Sequence, residues 1–134
     1  YSVGKLYTTA FYRLLRRRLA PGGVAAVQST SPLFARKAYW CIVETARASG
    51  LKALPYHAYV PSFGEWGYVL LSEEPVTVPP HFPAGLRFLN AEVLPSLFSF
   101  SPDMGPVPSE PNRLDNQLLV RLYEDEWRKI TEGE

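Results

Sequence analysis

The 134-residue chain has a single cysteine, Cys41. No disulfide can close within it, so stability must come from packing, as suits a reducing compartment. Charge of either sign is also scarce in net terms: 14 Lys and Arg face 13 Asp and Glu, for a formal charge of +1. That balance gives no long-range field and no case for a nucleic-acid partner. No apolar run reaches the ~20 residues that a membrane-spanning helix needs. No Gly-x-Gly-x-x-Gly turn occurs, so the usual phosphate-cradling turn of a dinucleotide site is not among these residues. The two histidines, His57 and His81, stand apart from any Cys, His or carboxylate set at ligand spacing, and no metal site is expected. The first residue is not Met, and "YSVGKLY" reads as the middle of a motif, so a longer parent is expected.

What is present is a hydrophobic content of 46%, ordinary for a folded core. "TTAFYRLLRRRL" carries Phe11, Leu14, Leu15 and Leu19 at helical spacing, with Thr8 or Thr9 as cap, and Pro21-Gly22-Gly23 as the stop. "VAAVQ" (24–28) is short and apolar without alternation, the pattern of a strand covered on both faces. Ser31-Pro32 predicts the start of a second helix through "LFARKAYWCIVETARAS", ending at Gly50. "LKALPYHAYV" is extended, and Pro55 within it predicts an edge or irregular strand. "GYVLLS" is a further strand. Most of the 13 prolines fall in residues 75–112, which read as surface-hugging chain with a short helix near 90–98. A last helix is expected over "NRLDNQLLVRLYEDEW", with Leu114, Leu118, Leu122 and Tyr123 as its apolar stripe. The divisions expected are 1–74, 75–112 and 113–134. "VAAVQ" has one evident neighbour strand, so its other edge should pair with upstream chain or another subunit.

One stretch stands out. "YHAYVPSFGEWGY" (56–68) places Tyr56, Tyr59, Phe63, Trp66 and Tyr68 around a glycine-containing loop between two strands. A turn does not need that much aromatic surface. A pocket for an apolar or cationic ligand does.

"GKLYTTAFYRLLRRRLAPGGVAAVQSTSP", "PYHAYVPSFGEWGYVLLS" and "NRLDNQLLVRLYEDEW" together resemble the C-terminal half of the spermidine synthases, the polyamine aminopropyltransferases. The likeness is strongest over about 1–72, fair over 110–128 and slight in the Pro-rich middle. It is nearest to the long bacterial type with an N-terminal membrane-spanning region. The resemblance implies an α/β fold: the C-terminal half of a Rossmann-like, methyltransferase-type sandwich, ending in an antiparallel hairpin. It implies transfer of an aminopropyl group from decarboxylated S-adenosylmethionine to putrescine or a related amine, with no prosthetic group. It implies a homo-oligomer, or pairing with the upstream half, in the cytoplasm, or at the cytoplasmic face of the bacterial inner membrane for a membrane-anchored parent. The family's catalytic aspartate belongs to an Asp-x-x-Asp-Pro type motif just ahead of "YSVGKLY", so these residues alone are expected to be inactive.

The site residues implied are few. Gln28 ends a strand, where open α/β sheets bind ligands, and matches a substrate-contacting glutamine. Its bland alternative is a strand-end amide satisfied by a loop. Phe63 and Trp66 would line the amine pocket or simply pack the hairpin; the family often has tyrosine at the place of Phe63. Glu65 reads first as an exposed loop carboxylate, and second as the counter-charge for a diamine's far end. Ser2, Val3 and Leu6 match a segment passing near the nucleoside. His57 reads as packing or hydrogen bonding. Arg16, Arg17 and Arg18 read as a solvated helix end, and Cys41 as a buried small hydrophobe. A methyltransferase on the same fold and a non-catalytic dimerisation module are the alternatives.

Overall fold

The computed structural model describes residues 2–79 and 81–133; the side chains of Ser2 and Val3 lie outside the description. A 3-10 helix, Ser2–Tyr7, leads into helix α1, Thr9–Arg18. Strand β1 is Val24–Gln28, helix α2 is Arg36–Ala48, and strands β2 and β3 are Lys52–Val60 and Gly64–Ser72. A single turn, α3, spans Leu94–Leu97, and α4 spans Leu118–Thr131. The helix–strand–helix–hairpin order is the expected one.

Local chemistry explains the boundaries. The Thr8 hydroxyl accepts from the Phe11 N–H at 3.2 Å and caps α1. Gly50, at φ +87°, takes the left-handed position that closes α2. The expected start of α2 after Pro32 needs correction. The Ser31 hydroxyl accepts from both Leu33 N–H (3.2 Å) and Phe34 N–H (3.1 Å), holding 31–34 as a separate turn, and the helix begins only at Arg36. Its cap comes from far along the chain. The Glu126 carboxylate of α4 accepts from Lys37 N–H at 2.6 Å and Ala38 N–H at 3.2 Å, placing negative charge at the helix's positive end.

The three strands form one antiparallel sheet in the order β1-β3-β2. Gln28 lies opposite Tyr68, and Tyr56 pairs with Tyr68 from the other side. Pro55 therefore sits in a strand with one partner among the described residues, where a missing donor is tolerated. The expectation that both faces of "VAAVQ" are covered is not met. Val24 is 49% exposed, Ala26 and Gln28 are exposed, and Ala25 and Val27 turn inward. Among the described residues the buried core collects on one side, where Val69 and Leu71 meet Tyr39, Val43 and Ala46 of α2. β1 pairs only with β3, so its outer edge is open among the described residues.

The chain after β3 wraps the free edge of β2. Phe98 meets Tyr56 at 6.0 Å between ring centres, while Phe100 meets His57 at 4.7 Å. Consecutive strand residues point to opposite faces, so these two phenylalanines straddle the strand. The last helix also differs from expectation. It begins at Leu118, not near Asn112, and Leu114 is 55% exposed outside it. Leu118, Leu119 and Leu122 form the inward stripe, and Tyr123 turns outward.

Candidate functional site

The chain leaves β1 at Gln28 and is fixed there by β3. The buried Ser29 donates its N–H to the Gly67 carbonyl at 2.8 Å, and Gly67 N–H donates to the Thr30 carbonyl at 2.6 Å. A Cβ at Gly67 would come within 2.8 Å of the Thr30 oxygen and run into the Tyr39 ring, so only glycine permits this crossing. Thr30 is held at φ +59°. That conformation is strained for a β-branched residue and persists only where surrounding bonds over-determine it.

Beyond this crossing lies a cleft of about 650 Å³. Gln28 enters it from the strand end, Tyr7 from the 3-10 helix, Trp66 from β3, and Leu119, Val120 and Glu124 from α4. The Tyr7 hydroxyl donates to the Gln28 carbonyl at 2.9 Å, which fixes the glutamine backbone. Burial pushes the Tyr7 phenol above its ordinary value, so it stays a neutral donor. The Trp66 indole N–H is buried and has no acceptor among the described residues. A second groove of about 420 Å³ shares Thr30, Trp66 and Tyr123 with the first and adds Phe34, Phe63 and Trp127.

The residues expected at the site separate into two groups. Gln28 and Trp66 share the cleft. Phe63 lines the adjoining groove with its ring 5.4 Å from Trp66, and is itself 63% exposed. Glu65 is elsewhere. It follows the strand's alternation to the opposite face from Trp66, where its carboxylate meets His57 Nδ1 at 2.9 Å. His57 Nε2 also contacts the Ser99 carbonyl, so the histidine ties β2 to the tail. Leu6 is 50% exposed and lines neither cavity, although its neighbours Gly4 and Tyr7 line the cleft. The side chains of Ser2 and Val3 lie outside the described residues. Cys41 is buried in the core; its thiol is pushed up chiefly by desolvation. Tyr7, Thr30, Tyr123 and Glu124 were not among the expected site residues. Only the "LY" of the opening motif hinted at one of them.

Among the described residues no three His, Cys, Asp or Glu side chains gather where a metal ion could be held. No described helix is long and apolar enough to cross a membrane.

Residues 2–79 match the family model of the spermine/spermidine synthase domain. A polyamine aminopropyltransferase of Leptospira interrogans is 54% identical over 130 residues, covering 97% of this chain and 26% of the relative. Polyamine aminopropyltransferase 2 of Ralstonia nicotianae is 46% identical over 132 residues, 97% of this chain and 26% of its own. The polyamine aminopropyltransferase of Mycobacterium tuberculosis is 40% identical over 128 residues, 93% of this chain and 24% of its own. The chain thus spans about a quarter of the length of the curated relatives it matches. The aligned stretches take in the Pro-rich segment and α4, beyond residue 79 where the family-model match ends.

Proposed function

The chain belongs to the spermine/spermidine synthase domain family, and on that premise we propose that it forms one side of the active cleft of a polyamine aminopropyltransferase. The donor is decarboxylated S-adenosylmethionine and the acceptor is putrescine or a related diamine. The amine nitrogen attacks the aminopropyl carbon next to the sulfonium. The carbon–sulfur bond breaks, its electron pair neutralises the sulfur, methylthioadenosine leaves, and one proton is lost from the amine.

The chemistry needs a neutral amine lined up with a cationic centre, and surroundings that hold alkylammonium groups. The observation that carries the reading is the meeting of Gln28 and Trp66 in one cleft at the carboxyl end of β1, within a chain of this family. The Gln28 carboxamide accepts from the attacking amine and orients it. The apolar walls from Ile42, Leu119 and Val120 suit a methylene chain. The proton acceptor is an aspartate outside these residues, so the 134 residues alone are inactive. The open edge of β1 pairs with the part of the enzyme that carries that aspartate.

The test is release of methylthioadenosine by the complete protein supplied with decarboxylated S-adenosylmethionine and 1,4-diaminobutane. The expected outcome is stoichiometric formation of the aminopropylated diamine, with none from residues 1–134 alone. Methyl transfer from S-adenosylmethionine without aminopropyl transfer would overturn the reading. Turnover by the isolated residues would overturn the assignment of the base.

A further inference from the structure

We propose that Tyr7 is a positioning residue for the transfer: its hydroxyl anchors the end of β1 so that the Gln28 carboxamide meets the attacking amine. The inference rests on the aminopropyltransferase reading and assigns a role to a residue of the 3-10 helix. The geometry begins with the alternation of the strand. Ser29 turns its N–H to β3, where the Gly67 carbonyl accepts it at 2.8 Å. In an antiparallel pair the preceding residue turns its backbone groups the other way. Gln28, opposite Tyr68 in the last pair of the ladder, therefore points its carbonyl to the edge of β1 that is open among the described residues. A carbonyl on such an edge ordinarily waits for a neighbouring strand or for water. Here a side chain meets it: the Tyr7 hydroxyl donates to it at 2.9 Å.

The donor is itself held. Asn112 Nδ2 donates to the Tyr7 carbonyl at 2.9 Å, and the same side chain accepts from the Leu119 N–H at 3.0 Å, so Tyr7 and the first turn of α4 share one anchor. The adjacent Thr8 is buried, and its hydroxyl donates to the Lys5 carbonyl at 2.9 Å while capping α1. Gln28 has the opposite character. Its side chain is exposed and its carboxamide bonds to no described residue, so the backbone decides where that group can reach. Ser29 pins this backbone from the β3 side and Tyr7 from the open side. Group transfer is sensitive to displacements of about 1 Å between the reacting groups, and a strand end pinned on one side alone has that freedom.

A double-mutant cycle in the complete enzyme tests this, with wild type, Tyr7→Phe, Gln28→Ala and the two combined. Phenylalanine keeps the ring and removes only the hydroxyl. One hydrogen bond of this kind is worth about a fivefold change. The diamine kcat/KM should fall about fivefold in Tyr7→Phe, while the decarboxylated S-adenosylmethionine KM stays put. In the Gln28→Ala background the same substitution should cost less than about twofold, because the group it positions is gone. Equal losses in both backgrounds, an unchanged diamine kcat/KM, or a parallel rise in both KM values overturns the positioning role and leaves the aminopropyltransferase reading standing. Gln28→Ala with full activity toward the diamine overturns it in the same way. A wild-type enzyme that transfers aminopropyl to no amine overturns both.

Discussion

Replacing Asn112 by alanine should release α4 from the body of the protein. Asn112 is 2% exposed and uses all its polar groups. Its backbone N–H donates to Thr45 Oγ1 at 2.8 Å, and its carbonyl accepts from Thr9 N–H at 3.0 Å. The side-chain Nδ2 donates to the Tyr7 carbonyl at 2.9 Å, and Oδ1 accepts from Leu119 N–H at 3.0 Å. Alanine keeps the two backbone bonds and loses the two side-chain bonds. Each lost bond costs about 1 kcal/mol net, and a buried partner left unpaired costs about 1–3 kcal/mol in place of that figure. Leu119 is buried and its N–H belongs to the first turn of α4, where no intrahelical acceptor exists. Tyr7 is only half-buried, so its carbonyl can turn to water. Together these give a loss of about 2–4 kcal/mol. Urea denaturation of wild type and Asn112→Ala measures it, and amide exchange at Leu119 locates it. A loss under about 0.5 kcal/mol, the range of ordinary surface substitutions, with Leu119 exchange unchanged, would refute the reasoning.

Tyr12 is fully buried and its hydroxyl has no partner among the described residues. Tyr12→Phe should therefore stabilise the protein by up to about 1 kcal/mol in the same denaturation assay; a loss of that size would mean that the hydroxyl is satisfied after all. Burial raises the phenols of Tyr12 and Tyr39 above the ordinary value of 10.0. Their contribution is intact below pH 10. Above it the unfolded chain releases protons that the folded chain retains, so stability falls as pH rises. Absorbance near 295 nm should show part of the eight tyrosines ionising only as circular dichroism reports unfolding. Complete ionisation before any loss of structure would contradict the burial.

Much of the fold was legible because its signals are local. The Thr8 cap, the left-handed Gly50, the antiparallel hairpin and the edge position of Pro55 each follow from a residue and its immediate neighbours. The late start of α2 was hidden because Ser31 satisfies a turn rather than a helix. The start of α4 was misplaced because Asn112 is drawn into the core by partners more than sixty residues away. At the site, Gln28 followed from where open sheets bind ligands, and Trp66 from its loop. Glu65 lies one residue from Trp66, yet strand alternation sends it to His57. Tyr123 and Glu124 carried no local mark, because only the docking of α4 brings them to the cleft.

That docking depends on how a chain rich in proline can be held at all. Proline brings a carbonyl but no N–H, so residues 102–111 offer mostly acceptors and cannot form a ladder of their own. Helix α2 supplies the donors. Trp40 Nε1 donates to the Met104 carbonyl at 2.9 Å, Arg36 reaches the Gly105 carbonyl at 2.8 Å and the Pro102 carbonyl at 3.1 Å, and the Cys41 thiol meets the Glu110 carbonyl at 3.5 Å. Each accepting group is backbone, so the strap depends on the donors' identity more than on its own side chains. Asn112 ends the strap and fixes the first turn of the last helix, and Glu126 returns the favour by capping α2. A helix needed for its donors and a tail needed for its carboxylate hold each other, and the face of α4 between those two ties is the one that reaches the cleft.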